Sequence, residues 1–226
     1  MLTIALYGDS IGRGVAYDEA RGRYHYLRDG FDRLMEKEGL VRFLNHSRFG
    51  ATAREGLEEL EKLTGLDADA VVVEYGGNDC SPDWKAVSED PETLHPPRTT
   101  LADFEDILAR FVRKIRGLGK IAVLVTPPPL VAERFVPWVS KGLDENAILR
   151  FLGDTHHVYR WQEQYALSVH QVARQTRSRL FDLRAWFLKE RDLGSLYCAD
   201  GMHPNQKGHA LIARAAADML PRIWEE

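Results

Sequence analysis

The feature that most constrains this chain is an alternation of short apolar runs with helical patterns. Four runs rich in β-branched residues, Leu2 to Tyr7, Val41 to Asn45, Ala70 to Tyr75 and Ile121 to Thr126, are spaced along the sequence, and Leu180 to Leu183 is a weaker fifth. Runs that are apolar at nearly every position fit strands covered on both faces, as parallel strands are. Between them, Leu101, Phe104, Leu108, Phe111, Ile115 and Leu118 fall on one face of a helix, with Thr100 and Asp103 as its capping signature. Further helices are expected over about 24–38, 52–64, 155–177 and 205–220, with Asn205 capping the last. The alternation predicts an α/β fold built as a three-layer α/β/α sandwich around a central parallel sheet of about five strands. In such a sheet functional groups collect at the carboxyl ends of the strands.

A length of 226 residues fits one domain, taken here as 1–226. Two segments, 80–99 and 127–154, read as decoration of the core. The first carries Pro82, Pro91, Pro96 and Pro97, and the second opens with Pro127, Pro128 and Pro129, so neither can be an uninterrupted helix or a central strand. Irregular segments beside strand ends often form binding walls or lids.

Composition narrows the function classes. The net charge is -4 and acids are interleaved with bases, so no basic stripe marks a nucleic-acid partner. No apolar run approaches the roughly 18 residues that a bilayer span requires, and no membrane partner is expected. Leu2 to Tyr7 leads straight into the first motif without a basic region and cleavage site, which predicts a cytoplasmic location. Cys80 and Cys198 are the two cysteines, too few for a disulfide framework or a four-thiolate metal site, and both are expected reduced. Asp154, His156 and His157 cluster at a helix start, but adjacent histidines diverge on a helix, and Asp154 or Thr155 serves better as its cap. Neither a metal nor an organic cofactor is expected.

Chemistry concentrates in motifs at the two ends. Gly8-Asp9-Ser10 follows the first apolar run, and Asp200-Gly201-Met202-His203-Pro204 stands near the other end. A serine hydroxyl is a weak nucleophile at neutral pH and needs a base within hydrogen-bond reach and a third group to orient that base. Ser10, His203 and Asp200 supply the three. Gly8-Asp9-Ser10-Ile11-Gly12 also matches the nucleophile elbow of α/β-hydrolases. In those enzymes, however, several strands precede the serine, whereas Ser10 follows the first.

The motifs resemble those of the SGNH, or GDSL, hydrolase family, and its four blocks occur in order. Gly8-Asp9-Ser10 is similar to the nucleophile block, the stretch Asn45 to Thr52 to the second, Gly76-Gly77-Asn78-Asp79 to the third, and Asp200 to His203 to the D-x-x-H block. The resemblance implies a flavodoxin-like sandwich in which Ser10 is the nucleophile, His203 the base and Asp200 its orienting acid. The oxyanion hole it implies comprises the Ser10 and Gly50 backbone N–H groups and the Asn78 side-chain amide. Donors aimed at a developing oxyanion contribute roughly 3 to 4 kcal/mol each to transition-state stabilisation. Asp9 and Asp79 are assigned structural hydrogen bonds to neighbouring backbone. Trp84 and Trp138, one in each decorating segment, are expected as substrate-binding walls.

The resemblance implies a serine esterase acting on small carboxylic esters through an acyl-serine intermediate, and together with the aromatic decoration it suggests acetyl esters of carbohydrates as the leading substrate class. Lysophospholipase or thioesterase activity belongs to the same family. A catalytically silent carbohydrate- or phosphate-binding module is the alternative of another class, with Gly8, Gly12 and Gly14 cradling an anion. That alternative lacks G-K-[ST] and leaves His203 without a task.

Overall fold

The computed structural model describes residues 1–223. Five strands form the central sheet: β1 (Leu2–Gly8), β4 (Val41–Asn45), β5 (Ala70–Glu74), β6 (Ile121–Val125) and β7 (Arg179–Phe181). Their order is β4-β1-β5-β6-β7, and every pairing is parallel. The fold is the α/β sandwich expected from the apolar runs.

Side chains of β1 show why the runs read as buried strands. Ala5 and Tyr7 point into one core with α2 (Ala53–Glu61), α4 (Leu101–Gly117) and α7 (His157–Thr176), while Ile4 and Leu6 point into the opposite core with α1 (Phe31–Lys37), α8 (Leu183–Leu188) and α9 (Gln206–Met219). Both faces are covered, so the two-residue period of the strand is apolar in each phase. Phe104, Leu108, Phe111 and Ile115 of α4 are all buried as the helical spacing predicts, each stabilising the fold by about 1.5–3 kcal/mol relative to exposure. The Thr100 side chain accepts from the Asp103 N–H at 3.2 Å, and Asn205 accepts from Lys207 and Gly208 N–H groups, so both expected caps are present.

Two expectations change and one gains detail. The helix expected over about 24–38 is confined to α1, and its first residues lie instead in a hairpin of β2 (Val15–Asp18) and β3 (Arg23–Tyr26). Tyr17 and Tyr24 of this hairpin pack edge to face, which favours extended backbone over helix at both positions. The decorating segments are interrupted helices, α3 (Trp84–Glu89), α5 (Ala132–Val139) and α6 (Glu145–Leu152), joined through their own apolar cluster around Phe135, Val136 and Ile148. Finally, α7 starts at His157 without a side-chain cap. Asp154 instead pairs with Arg160, its Oδ2 lying 2.6 Å from Nη2. Among the described residues no helix is long and apolar enough to cross a membrane.

The strand order reverses at β1, which pairs with β4 on one side and β5 on the other. A crevice opens outside the carboxyl ends of strands at such a reversal, between the loops that leave in opposite directions. Ser10 follows β1, Gly50 lies beyond β4 and Asn78 follows β5.

Candidate active site

Ser10 stands at the first turn after β1, where Arg13 N–H donates to the Asp9 carbonyl at 3.0 Å and Gly14 N–H to that of Ile11 at 3.0 Å. Asp9 fastens this turn. Its Oδ1 accepts from the Ile11 N–H at 2.8 Å and its Oδ2 from the Asn78 amide at 3.2 Å, the structural work assigned to it. Asp79 does comparable work, accepting from the N–H groups of Ala53 and Gly76 and from the Thr99 hydroxyl.

The D-x-x-H loop folds around its own carboxylate. Asp200 Oδ1 accepts from the Met202 and His203 N–H groups at 3.0 Å each, and Oδ2 lies 2.7 Å from His203 Nδ1. A carboxylate only accepts, so Nδ1 carries the imidazole proton and Nε2 is left as the acceptor. Nε2 lies 2.8 Å from Ser10 Oγ, which donates to it. Asp200, His203 and Ser10 are 0%, 4% and 7% exposed, so bulk water does not compete for these bonds. Burial works against a charge on Asp200, but the His203 ring and the two backbone donors outweigh it and hold the carboxyl below its ordinary range. The geometry can move a proton from Ser10 to His203 and stabilise the imidazolium that results.

Gly50 has φ of +74°, a left-handed conformation that favours glycine, and its carbonyl accepts from Arg98 at 3.0 Å, which fixes the turn. Asn78 donates its amide hydrogens to Asp9 Oδ2 and to the Ala51 carbonyl at 3.1 Å. Service to a substrate oxyanion therefore requires one of these bonds to be shared or exchanged.

Beside Ser10, Asn78 and His203 lies a cavity of about 70 Å³. Trp84 lines it, together with Leu130, Phe135, Trp161 and Met202. Trp138 does not. Its indole N–H donates to the Tyr24 hydroxyl at 3.1 Å, so it braces the hairpin and is not among the residues lining the cavity. Its ring also packs edge to face on Tyr17, with centroids 4.5 Å apart. Gly50 also lies outside the cavity lining.

Two site features escaped the sequence reading. Tyr24 and Phe49 pack on the His203 ring, with centroids 5.0 and 5.9 Å away. Glu74, at the end of β5, is 4% exposed and neither carboxyl oxygen has a hydrogen-bond partner. Its acidic side chain in an otherwise apolar strand, just before Gly76-Gly77-Asn78, was the signal available for it. Cys80 and Cys198 are buried free thiols, the former donating to the Gly77 carbonyl and the latter accepting from the Tyr17 N–H.

A model of the GDSL-like Lipase/Acylhydrolase family matches residues 6–211. The isoamyl acetate-hydrolyzing esterase 1 homolog of Bos taurus is 28% identical over 158 residues, covering 68% of this chain and 56% of that protein. The chain thus spans about half the length of the curated relative it matches. Among solved structures, a lipase/acylhydrolase from Enterococcus faecalis superposes with a TM-score of 0.68 at 23% identity, over 98% of this chain and 97% of that one. Axe2, an acetylxylan esterase from Geobacillus stearothermophilus, superposes with a TM-score of 0.64 at 24% identity, over 100% and 95%. At these identities the two structures establish a common fold.

Proposed function

The chain belongs to the GDSL-like lipase/acylhydrolase family, and from that premise we propose that it is a serine esterase that cleaves small carboxylic esters through an acyl-Ser10 intermediate. The observation that carries this reading is the unbroken hydrogen-bonded line from Asp200 Oδ2 through the imidazole of His203 to Ser10 Oγ, with spacings of 2.7 and 2.8 Å. Ser10 Oγ attacks the ester carbonyl as His203 Nε2 takes its proton, and the same nitrogen returns that proton to the departing alcohol. Water then repeats the sequence on the acyl-enzyme. The negative oxygen of each tetrahedral intermediate is met by the backbone N–H groups of Ser10 and Gly50 and by the Asn78 amide.

Cavity size supports a small acyl group. An apolar cavity of about 150 Å³ holds a benzene molecule, so about 70 Å³ suits a group of roughly two to four heavy atoms. Acetyl esters are therefore the proposed substrates. The aromatic side chains around the site favour a carbohydrate as the alcohol, and the acetylxylan esterase of the same fold is consistent with that choice.

Initial rates on p-nitrophenyl acetate, compared between the wild type and Ser10→Ala, test the reading. Hydrolysis that falls at least a thousandfold in the variant supports it. Equal rates in the two proteins would sink it. Replacing acetyl by hexanoyl should lower kcat/KM, because the longer chain exceeds the cavity.

A further inference from the structure

The His203 ring has two unlike surroundings. On one side lies the cavity of about 70 Å³ that also reaches Ser10 and Asn78. Elsewhere it meets two aromatic rings that take no part in that cavity: Tyr24, with ring planes inclined at 59°, and Phe49, stacked nearly parallel at 7°. The two rings also touch each other, with centroids 5.2 Å apart. Tyr24 is held rigidly, since the Trp138 indole donates to its hydroxyl and Tyr17 packs against its edge. Phe49 is 51% exposed. Phe49 thus turns part of its ring to water while packing on both Tyr24 and the His203 imidazole, an aromatic face that a ligand can cover.

The order of bond breaking says which part of the substrate belongs there. The acyl group stays attached to Ser10 until water arrives, so it suits the small cavity that Ser10 lines. The alcohol departs first, carrying the proton from His203 Nε2, and needs an open path to solvent next to that ring. Resting on the esterase reading above, we propose that Phe49 and Tyr24 form the leaving-group subsite, an aromatic shelf that selects esters whose alcohol presents a ring-sized apolar face. A cyclic aliphatic alcohol and the C–H face of a pyranose share this chemistry. Both lie flat on an aromatic ring, and ethanol is too small to cover it. The shelf acts on binding and on the placement of the leaving oxygen near Nε2, while the bond making and breaking stay with Ser10 and His203.

Rates measured on three acetates that share one acyl group test this shelf: ethyl acetate, cyclohexyl acetate and a mono-acetylated methyl glucoside. The wild type is expected to favour both ring-bearing esters over ethyl acetate in kcat/KM by several-fold to about tenfold, the range of one aromatic contact. In Phe49→Ala both ratios should collapse toward one, chiefly through KM for the ring-bearing esters, and Phe49→Tyr should restore them. Because the comparison is a ratio within each protein, a general loss of activity or of folded protein cancels. A preference for cyclohexyl acetate alone identifies an apolar ring alcohol as the ligand, and a preference for the glucoside alone identifies a sugar. Ratios that are the same in wild type and Phe49→Ala would overturn the shelf and leave a Ser10-dependent esterase intact. Failure of the wild type to hydrolyse any of the three would overturn the esterase reading and the shelf with it.

Discussion

The Nε2 of His203 lies 2.8 Å from the Oγ of Ser10, although the two residues are 193 positions apart. Short local bonds set this long-range contact. The Cys198 N–H donates to the His203 carbonyl at 2.9 Å and the Asn205 N–H to that of Leu196 at 2.8 Å, which closes the loop on itself. The Val131 N–H donates to the Gly201 carbonyl at 2.7 Å, and Tyr197 donates to the Pro129 carbonyl, which dock the loop onto the start of α5. The imidazole is aimed by backbone that is itself anchored to the segment leading into α5.

Gly201 is the point at which this docking is most sensitive. Its φ is +72°, and a Cβ there would lie 2.6 Å from the Val131 carbonyl oxygen and 2.9 Å from the Phe135 nitrogen. Gly201→Ala must displace the loop against backbone that cannot yield, at a cost of about 1–3 kcal/mol. Thermal unfolding followed by circular dichroism should show a fall in Tm of several degrees with the native helix content retained. Ester hydrolysis should fall further than the stability loss explains, because the shift moves His203.

Asp200→Asn keeps an acceptor for the Met202 and His203 N–H groups but removes the charge from the ring. The imidazole then loses its enforced tautomer, and kcat should fall by about 10⁴ while KM changes little. Steady-state kinetics on p-nitrophenyl acetate check this. A loss carried by KM instead would make Asp200 a determinant of the pocket.

Asn78 gives a graded result. Asn78→Ala removes one oxyanion donor and should lower kcat by about 10²–10³. Asn78→Asp should be worse, because it sets a second carboxylate where the amide now donates to Asp9 Oδ2 and opposes the charge that develops on the substrate. The order of the two variants in kcat separates an electrostatic role from simple packing.

Glu74 makes a prediction about pH and stability. Burial, followed by the neighbouring Asp9 carboxyl, pushes the Glu74 acid well above its ordinary range. Asp9 is itself raised to about 6 by burial, a rise that the Asp79 charge reinforces and His203 opposes. A carboxyl raised on folding favours the native state while it stays neutral, and this contribution is lost as pH climbs from its unfolded value through its folded one. Glu74→Gln cannot ionise. The difference in Tm between Glu74→Gln and the wild type should therefore move in favour of the variant as pH rises above about 4.5, the unfolded value of a glutamate. A difference that stays flat with pH would mean that Glu74 ionises as easily folded as unfolded.

Legibility in the sequence followed the range of the interactions involved. The five strands could be read because strands buried on both faces are apolar in both phases, and the caps at Thr100 and Asn205 because they are local. The β2–β3 hairpin was missed because Tyr17 and Tyr24 take extended backbone to reach each other and Trp138. Its one local sign was Gly22, with φ of +62°, next to the alternating Tyr24 and Tyr26. Ser10, Asp200 and His203 are drawn together at the site because each lies in a short motif beside the sheet ends. Trp138 and Trp84 carried the same chemical signal, and only packing distinguished the brace from the cavity wall. Phe49 stood inside a recognised block, but its stack on His203 depends on a turn from the other end of the chain.

Labelling with a fluorophosphonate, followed by peptide mass spectrometry, measures the nucleophile most directly, because such reagents capture an activated serine and stop at the covalent adduct. One equivalent per chain should attach to the peptide containing Ser10, and no label should appear in Ser10→Ala or His203→Ala. An unlabelled wild type, or label on a residue other than Ser10, would contradict the account.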